Sequence, residues 1–179
     1  MEHRTDSYMA VNPQGLVPAL VDGGEVFNQS LAIIEYLDET HPEPPFLPES
    51  AAAKARVRAF AQIAGCDIHP LNNVRVLKYL QSRWNLSQTD RDEWYAHWIA
   101  AGFADLEHHL ERFGRPGRYA FGDAPGLAEI CLVPQVANAQ RFNCGLSGYP
   151  RCMAVYEVCM ALPEFEGTHP RNQPEAEAS

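Results

Sequence analysis

The 179-residue sequence predicts a mainly α protein: a small α/β piece, then a proline-rich linker, then a domain of four or five helices. Residues 1–48 hold short apolar stretches broken by Pro and Gly, which suits a hairpin and not a helix bundle. Pro42, Pro44, Pro45 and Pro48 stiffen the segment that follows. From Ser50 onward, apolar residues recur three and four apart, the period of a buried helix face.

The elements follow in order. Val17–Val21 reads as a strand, Asp22-Gly23-Gly24 as a turn and Glu25–Phe27 as a second strand. Ser30 is expected to cap a helix from Leu31 to about Glu39, with Leu31, Ile34 and Leu37 on its packed face. Ser50 caps a long amphipathic segment through Val57, Phe60, Ala64 and Ile68, which Pro70 should kink before it resumes through Val74, Leu77 and Leu80. After a turn near residues 85–88, Thr89 is the expected cap of a helix containing Trp94, Trp98, Phe103, Leu106 and Leu110. Two further helices are expected, from Leu127 to Phe142 and from Pro150 to before Pro163. An isolated hairpin is marginal in water, so the first piece reads as part of a larger sheet.

Composition narrows the function classes. The formal charge is −9, only Lys54 and Lys78 are lysines, and nucleic acid is therefore not an expected partner. No apolar run is long enough to span a membrane, and residues 1–6 carry no secretory signal, so a cytoplasmic location is expected. Cys66, Cys131, Cys144, Cys152 and Cys159 are odd in number and form no Cys-x-x-Cys pair, which points to reduced thiols and no metal site.

Four groups of residues carry chemical information. Val17-Pro18 opens a strand, where the proline serves either as a turn or as a cis step exposing backbone polar groups at a sheet edge. Gln29-Ser30 sits at a helix start, where Ser30 is either a simple cap or part of a carboxylate site at the positive end of the helix dipole. His69, Asn72, Asn73 and Arg75 are expected on one helix face beside Pro70, either satisfying the break or forming a polar site. Arg141 continues a stripe of Leu127, Ile130, Cys131, Pro134, Ala137 and Asn138. Read as a buried stripe, it requires an anion there, either Asp67 or Glu129 as an ion-pair partner or a substrate carboxylate.

Asn12-Pro-Gln-Gly-Leu-Val-Pro-Ala-Leu20 and Gln29-Ser-Leu-Ala-Ile-Ile-Glu-Tyr-Leu37 strongly resemble the glutathione transferase family. Residues 67–80, 132–142 and 169–174 look like its zeta class, the maleylacetoacetate and maleylpyruvate isomerases. The resemblance implies a partial thioredoxin-like, glutathione-binding α/β domain over residues 1–45. It also implies an all-helical glutathione-transferase C-terminal domain over residues 50–172, and a tail over 173–179. It implies glutathione as cofactor, held by Val17, Pro18, Gln29, Ser30, His69 and Asn73, with Arg75 and Arg141 on the substrate. The implied reaction is glutathione-dependent cis–trans isomerisation of a maleyl compound in aromatic compound catabolism, by a homodimer.

Two departures from the family pattern stand out. The family carries a strand, a helix and a second strand before the region matching residue 1, with a Ser-Ser-Cys-type motif that activates the thiol. No stretch of this chain matches it, so no catalytic residue is assigned within the chain, and the alternative reading is a non-catalytic glutathione-transferase-like binding module. Where the family has a Ser/Thr-x-x-Asp capping box, this chain has Gly126-Leu127-Ala128-Glu129, and a weaker cap is expected.

Overall fold

Adjacent glycines close the hairpin. In the computed structural model, which describes residues 2–115 and 117–173, Gly23 and Gly24 both take positive φ, 57° and 88°. That backbone matches the twist of a two-residue turn, and few side chains tolerate it. The flanking strands β1 (Ala19–Asp22) and β2 (Glu25–Asn28) pair antiparallel, with Leu20 opposite Phe27 and Val21 opposite Val26. The first strand begins two residues later than predicted, after a cis Val17-Pro18 bond. Most of the expected tail, residues 174–179, lies outside the described residues.

The chain divides into two compact units, one ending at Phe46 and the other beginning at Leu47. The first unit opens with a helix not expected from the sequence pattern, α1 (Asp6–Val11), capped by Thr5. After the hairpin comes α2 (Ser30–Thr40). Its buried residue is Ile33, and the expected face of Leu31, Ile34 and Leu37 is only half-buried. Phe27 stacks on Tyr36 with centroids 4.1 Å apart, and the Tyr36 hydroxyl donates to Asp22 at 2.9 Å, so helix and hairpin are tied at both ends of one side chain.

In the second unit, α3 (Ala51–Gln62) starts at Ser50, whose hydroxyl accepts from the Ala53 amide at 3.2 Å. The helix widens into a π turn over Ile63–Ile68 and then ends. Pro70 does not kink a continuous helix as expected. It has no N–H to continue the ladder, the chain turns through residues 69–73, and Asn73 caps a new helix, α4 (Val74–Trp84). Asn85 ends α4 in the left-handed conformation.

The long helix α5 (Gln88–Phe113) is capped by Ser87 and not by Thr89. Ser87 Oγ accepts from the Asp90 amide at 3.1 Å while Asp90 accepts from the Ser87 amide at 2.8 Å, a reciprocal box; Asp92, three residues after Thr89, instead accepts from Gln88 Nε2 at 2.6 Å. Then follow α6 (Leu127–Arg141), α7 (Pro150–Met160) and the short α8 (Pro163–Gly167). Phe60, Phe103, Leu106, Leu132 and Val136 form the centre of the core and are fully shielded from solvent.

The face of α6 that enters this core is not the predicted one. Ala128, Glu129, Leu132, Gln135, Val136 and Ala139 are buried, whereas Pro134 and Arg141 are exposed and Ile130, Cys131, Ala137 and Asn138 are only half-buried. The Glu129 carboxylate is the reason. One oxygen accepts from the Gly126 amide at 2.8 Å and the other from the Ala120 amide at 2.9 Å. Glycine offers no side-chain acceptor here, and Glu129 bonds the Gly126 amide from within the helix.

Glu107 plays a similar part across elements. From α5 it accepts from the Arg151 and Cys152 amides at 3.0 Å and pairs with the Arg151 guanidinium at 3.2 Å, so it caps the start of α7. Burial alone would raise its pKa; the amides and the Arg151 charge overcome that and hold it below the ordinary carboxylate range. The thiols are all free, and burial pushes those of Cys131 and Cys159 up to about 12.

Two stability outcomes follow from this packing. A Cβ on Gly102 would collide with the buried side chain of Ile68, so Gly102→Ala should cost about 1–3 kcal/mol in denaturant unfolding. Glu107→Gln should cost about 1–2 kcal/mol near pH 7 by losing charge-assisted bonds. Because the folded pKa of Glu107 is depressed, its contribution is present above the unfolded value of about 4.3 and is lost as pH falls through the folded one. The difference in Tm between wild type and variant should therefore shrink on acidification.

Candidate functional site

In the first unit the loop before β1 is held by buried polar bonds. Asn12 is 1% exposed; its Nδ2 donates to the Leu16 carbonyl at 2.8 Å and its Oδ1 accepts from the Gln14 amide at 3.2 Å. The Tyr8 hydroxyl donates to the same Leu16 carbonyl at 2.6 Å. The next residue, Val17, is 69% exposed, and its backbone N–H and C=O bond to nothing among the described residues. The cis Val17-Pro18 step therefore presents a fixed, open peptide edge.

Gln29 and Ser30 follow β2 at the same open end of the hairpin as Val17 and Pro18, because Ala19 pairs with Asn28. The expectation that Ser30 caps α2 is corrected: Gln29 is the N-cap and Ser30 is the first helical residue. Gln29 takes φ 70° and ψ 116°, an uncommon conformation for a residue with a side chain, and makes no side-chain cap. Its side-chain amide instead donates to Gln14 at 3.2 Å, tying the start of α2 to the Asn12–Leu16 loop. The first intrahelical bond of α2 runs from the Ile33 amide to the Gln29 carbonyl, so the amides of the first turn have no intrahelical acceptor. By contrast, side chains cap α1, α3, α4 and α5.

In the second unit, the π turn and the break at Pro70 put His69, Asn73 and Arg75 on a turn and a helix start, not on one helix face. Asn73 Oδ1 accepts from the Arg75 amide at 3.0 Å. Asn72 turns inward: it is buried, and its Nδ2 donates to the Tyr95 carbonyl at 3.2 Å. Desolvation first, and the Arg75 charge second, lower the His69 pKa, so the neutral imidazole is favoured.

Arg141 ends α6. The expectation of a buried guanidinium is corrected, because α6 turns the other way and Arg141 is exposed, with its guanidinium 5.9 Å from the Phe142 ring centre. Glu129, weighed as its partner, is occupied by backbone amides. Neither Arg75 nor Arg141 pairs with a carboxylate among the described residues. The outward face of α6 also walls a cavity of about 530 Å³, with Ile130, Pro134 and Asn138 on one side and Met160, Phe165 and His169 on the other. These α6 residues were expected in the core, and the apolar period gives no sign of the cavity. Among the described residues no group of acids, histidines and cysteines is placed to hold a metal ion.

Residues 1–45 match the model of the glutathione S-transferase N-terminal domain, and residues 92–157 match that of the C-terminal domain. The chain is 46% identical to a maleylpyruvate isomerase from a Ralstonia species, over 98% of this chain and 82% of the relative. It belongs to the zeta class of glutathione transferases, the maleylacetoacetate and maleylpyruvate isomerase family. A maleylacetoacetate isomerase from Pseudomonas aeruginosa is 45% identical over 99% of this chain and 82% of its own length. Among solved structures, a holo maleylpyruvate isomerase described as a bacterial zeta-class enzyme superposes with a TM-score of 0.93 at 47% identity, covering 97% of this chain and 82% of the other. The Methylobacterium extorquens maleylacetoacetate isomerase, solved with malonate and glutathione, gives a TM-score of 0.92 at 36% identity, with 97% and 81% covered.

The depressed His69 pKa gives a direct outcome. Its NMR titration midpoint should lie below about 6.5, and Arg75→Gln should move it part of the way back up, since the charge is the second cause and desolvation the first. Because the folded value is the lower one, the stability that His69 contributes is complete above the unfolded pKa and is lost as pH falls below it.

Proposed function

We propose that this chain is a glutathione-dependent isomerase that converts a cis maleyl compound, maleylacetoacetate or maleylpyruvate, to its trans fumaryl product in the breakdown of aromatic compounds in the cytoplasm. The observation that carries the reading is the pair of exposed arginines, Arg75 and Arg141, left without carboxylate partners among the described residues in a chain of net charge −9. Planar guanidinium groups suit bidentate contact with the carboxylates of a dicarboxylic substrate.

The residues present fit glutathione. The open peptide edge at Val17 and Pro18 offers an N–H and C=O pair to a peptide backbone. The α2 start, with no side-chain cap and with Gln29 and the Ser30 hydroxyl beside it, offers amides and the positive end of the helix dipole to a carboxylate. When bound, glutathione supplies a thiolate nucleophile for reversible addition to the cis double bond, which allows rotation about a single bond. Arg75 and Arg141 hold the substrate carboxylates and place positive potential where negative charge develops next to the attacked carbon.

The working form is a homodimer. The hairpin turns Val21 and Val26 outward as a cross-strand pair, 58% and 45% exposed, and such apolar surface favours burial against a second copy. Sedimentation at tens of micromolar (roughly the range in which weak dimers form) should show a dimer; monomer alone would count against it.

The activity is tested by following loss of maleylacetone or maleylpyruvate with and without glutathione. Turnover that requires glutathione supports the reading; glutathione binding without turnover would make the chain a binding module instead. Arg141→Lys keeps the charge and removes the fork. It should lower kcat/KM by about ten- to a hundredfold, equivalent to roughly 1.4–2.7 kcal/mol, with little change in glutathione affinity. Since Arg141 is exposed, Tm should stay within about a degree or two of wild type. A fall in Tm with kcat/KM intact would make Arg141 a structural residue.

A further inference from the structure

Arg75 and Arg141 stand on different helices, α4 and α6, yet one residue of α5 touches the supports of both. Tyr95 is 3% exposed. Its backbone carbonyl accepts from Asn72 Nδ2 at 3.2 Å, and Asn72 directly precedes Asn73, the cap that receives the Arg75 amide. The neighbouring Trp94 Nε1 donates to the Leu71 carbonyl at 3.0 Å, so two adjacent residues of α5 hold the turn from which α4 starts. The Tyr95 ring stacks on Phe142, with centroids 4.0 Å apart and planes 22° from parallel, and Phe142 follows Arg141 and lies under its guanidinium. The Arg141 charge reaches the Tyr95 hydroxyl, where it opposes the rise caused by burial.

We propose that Tyr95 is a positioning residue that sets the spacing between Arg75 and Arg141, and thereby the preference of the site for cis dicarboxylates over monocarboxylates. The inference rests on the assignment of these arginines to the substrate carboxylates. α5 is a continuous helix through Tyr95, so its backbone is a rigid reference. A carbonyl bond on one side and a ring stack on the other transmit that reference to both arginine-bearing segments. A two-point ligand senses the distance between the guanidinium groups; a one-point ligand does not. Tyr95 itself needs no contact with substrate. Displacing a binding group by about an ångström is enough to lose much of its effect.

The test is maleate affinity, read by calorimetry and by the indole NMR signals of the tryptophans, with crotonate as the monocarboxylate control. Tyr95→Leu and Phe142→Leu, which remove the stack from either side, should weaken maleate by about tenfold and leave crotonate nearly unchanged. Tyr95→Phe keeps the ring and the carbonyl and should bind maleate like wild type. Phe142 is 39% exposed, so its variant keeps the fold even if Tyr95→Leu does not. A merely structural Tyr95 would lower Tm without changing the maleate-to-crotonate ratio, and that result would overturn the proposal. So would wild-type maleate affinity in Phe142→Leu, or failure of wild type to prefer maleate. If maleate binding depends on the stack but no glutathione-dependent turnover occurs, the isomerase reading fails and this one stands. If turnover is present and the ratio ignores the stack, the reverse holds.

Discussion

The carboxylate of Glu129 is the constraint on which the helical unit turns. It is 3% exposed, and a charge that deep must be met by donors. The Gly126 and Ala120 amides meet it, and they lie on the core side of α6. Burial still outweighs these bonds, so its pKa is raised. With Glu129 inward, the helical period carries Leu132, Val136 and Ala139 inward as well. It carries Pro134 and Arg141 outward. One buried acid thus selects the rotation of a fifteen-residue helix, bonds its N-cap amide and leaves Arg141 open to solvent.

The rest of the unit shows the same use of acids and amides to hold helix ends. Glu107 on α5 receives two amides at the start of α7, and Ser87 with Asp90 closes the start of α5 on itself. The starts of α1, α3, α4 and α5 are capped by side chains, whereas Gln29 leaves the start of α2 without one. An uncapped helix start next to an open peptide edge is poorly satisfied by the protein alone.

The arginines illustrate how a site and a core divide one sequence. Each is exposed and lacks a carboxylate partner among the described residues, so neither contributes an ion pair to stability there. Their supports are buried: Asn72 in the turn before α4, and Tyr95 beneath Phe142 at the end of α6. If the arginines hold the substrate carboxylates as proposed, rigid backing serves them, because a loose guanidinium must be ordered each time a ligand binds.

Much of this was legible in the residues themselves. The hairpin, the helices from Ser50 onward and the Asn85 turn follow from local chemistry: paired glycines, helical periodicity, a left-handed asparagine. The family likeness rested on the Val17-Pro18 and Gln29-Ser30 motifs, which are contiguous stretches. What the sequence left undecided were choices between local alternatives that only distant partners resolve. The cap of α5 is a local exception: Thr89 was expected, and the box that Ser87 forms with Asp90 three residues on took its place. Pro70 could kink a helix or end it, and Asn73, with Trp94 and Tyr95 behind the turn, ended it. Two stripes of α6 were apolar enough to be core, since Ile130, Cys131 and Pro134 compete with Ala128, Leu132 and Val136. Apolar period alone does not separate them; the amide of Ala120, nine residues before Glu129 and outside the helix, does. The sequence determined most of the elements and, through contiguous motifs, the family. Tertiary structure decided which way α6 faces, because the free energy of burying a carboxylate depends on donors that the helix itself does not contain.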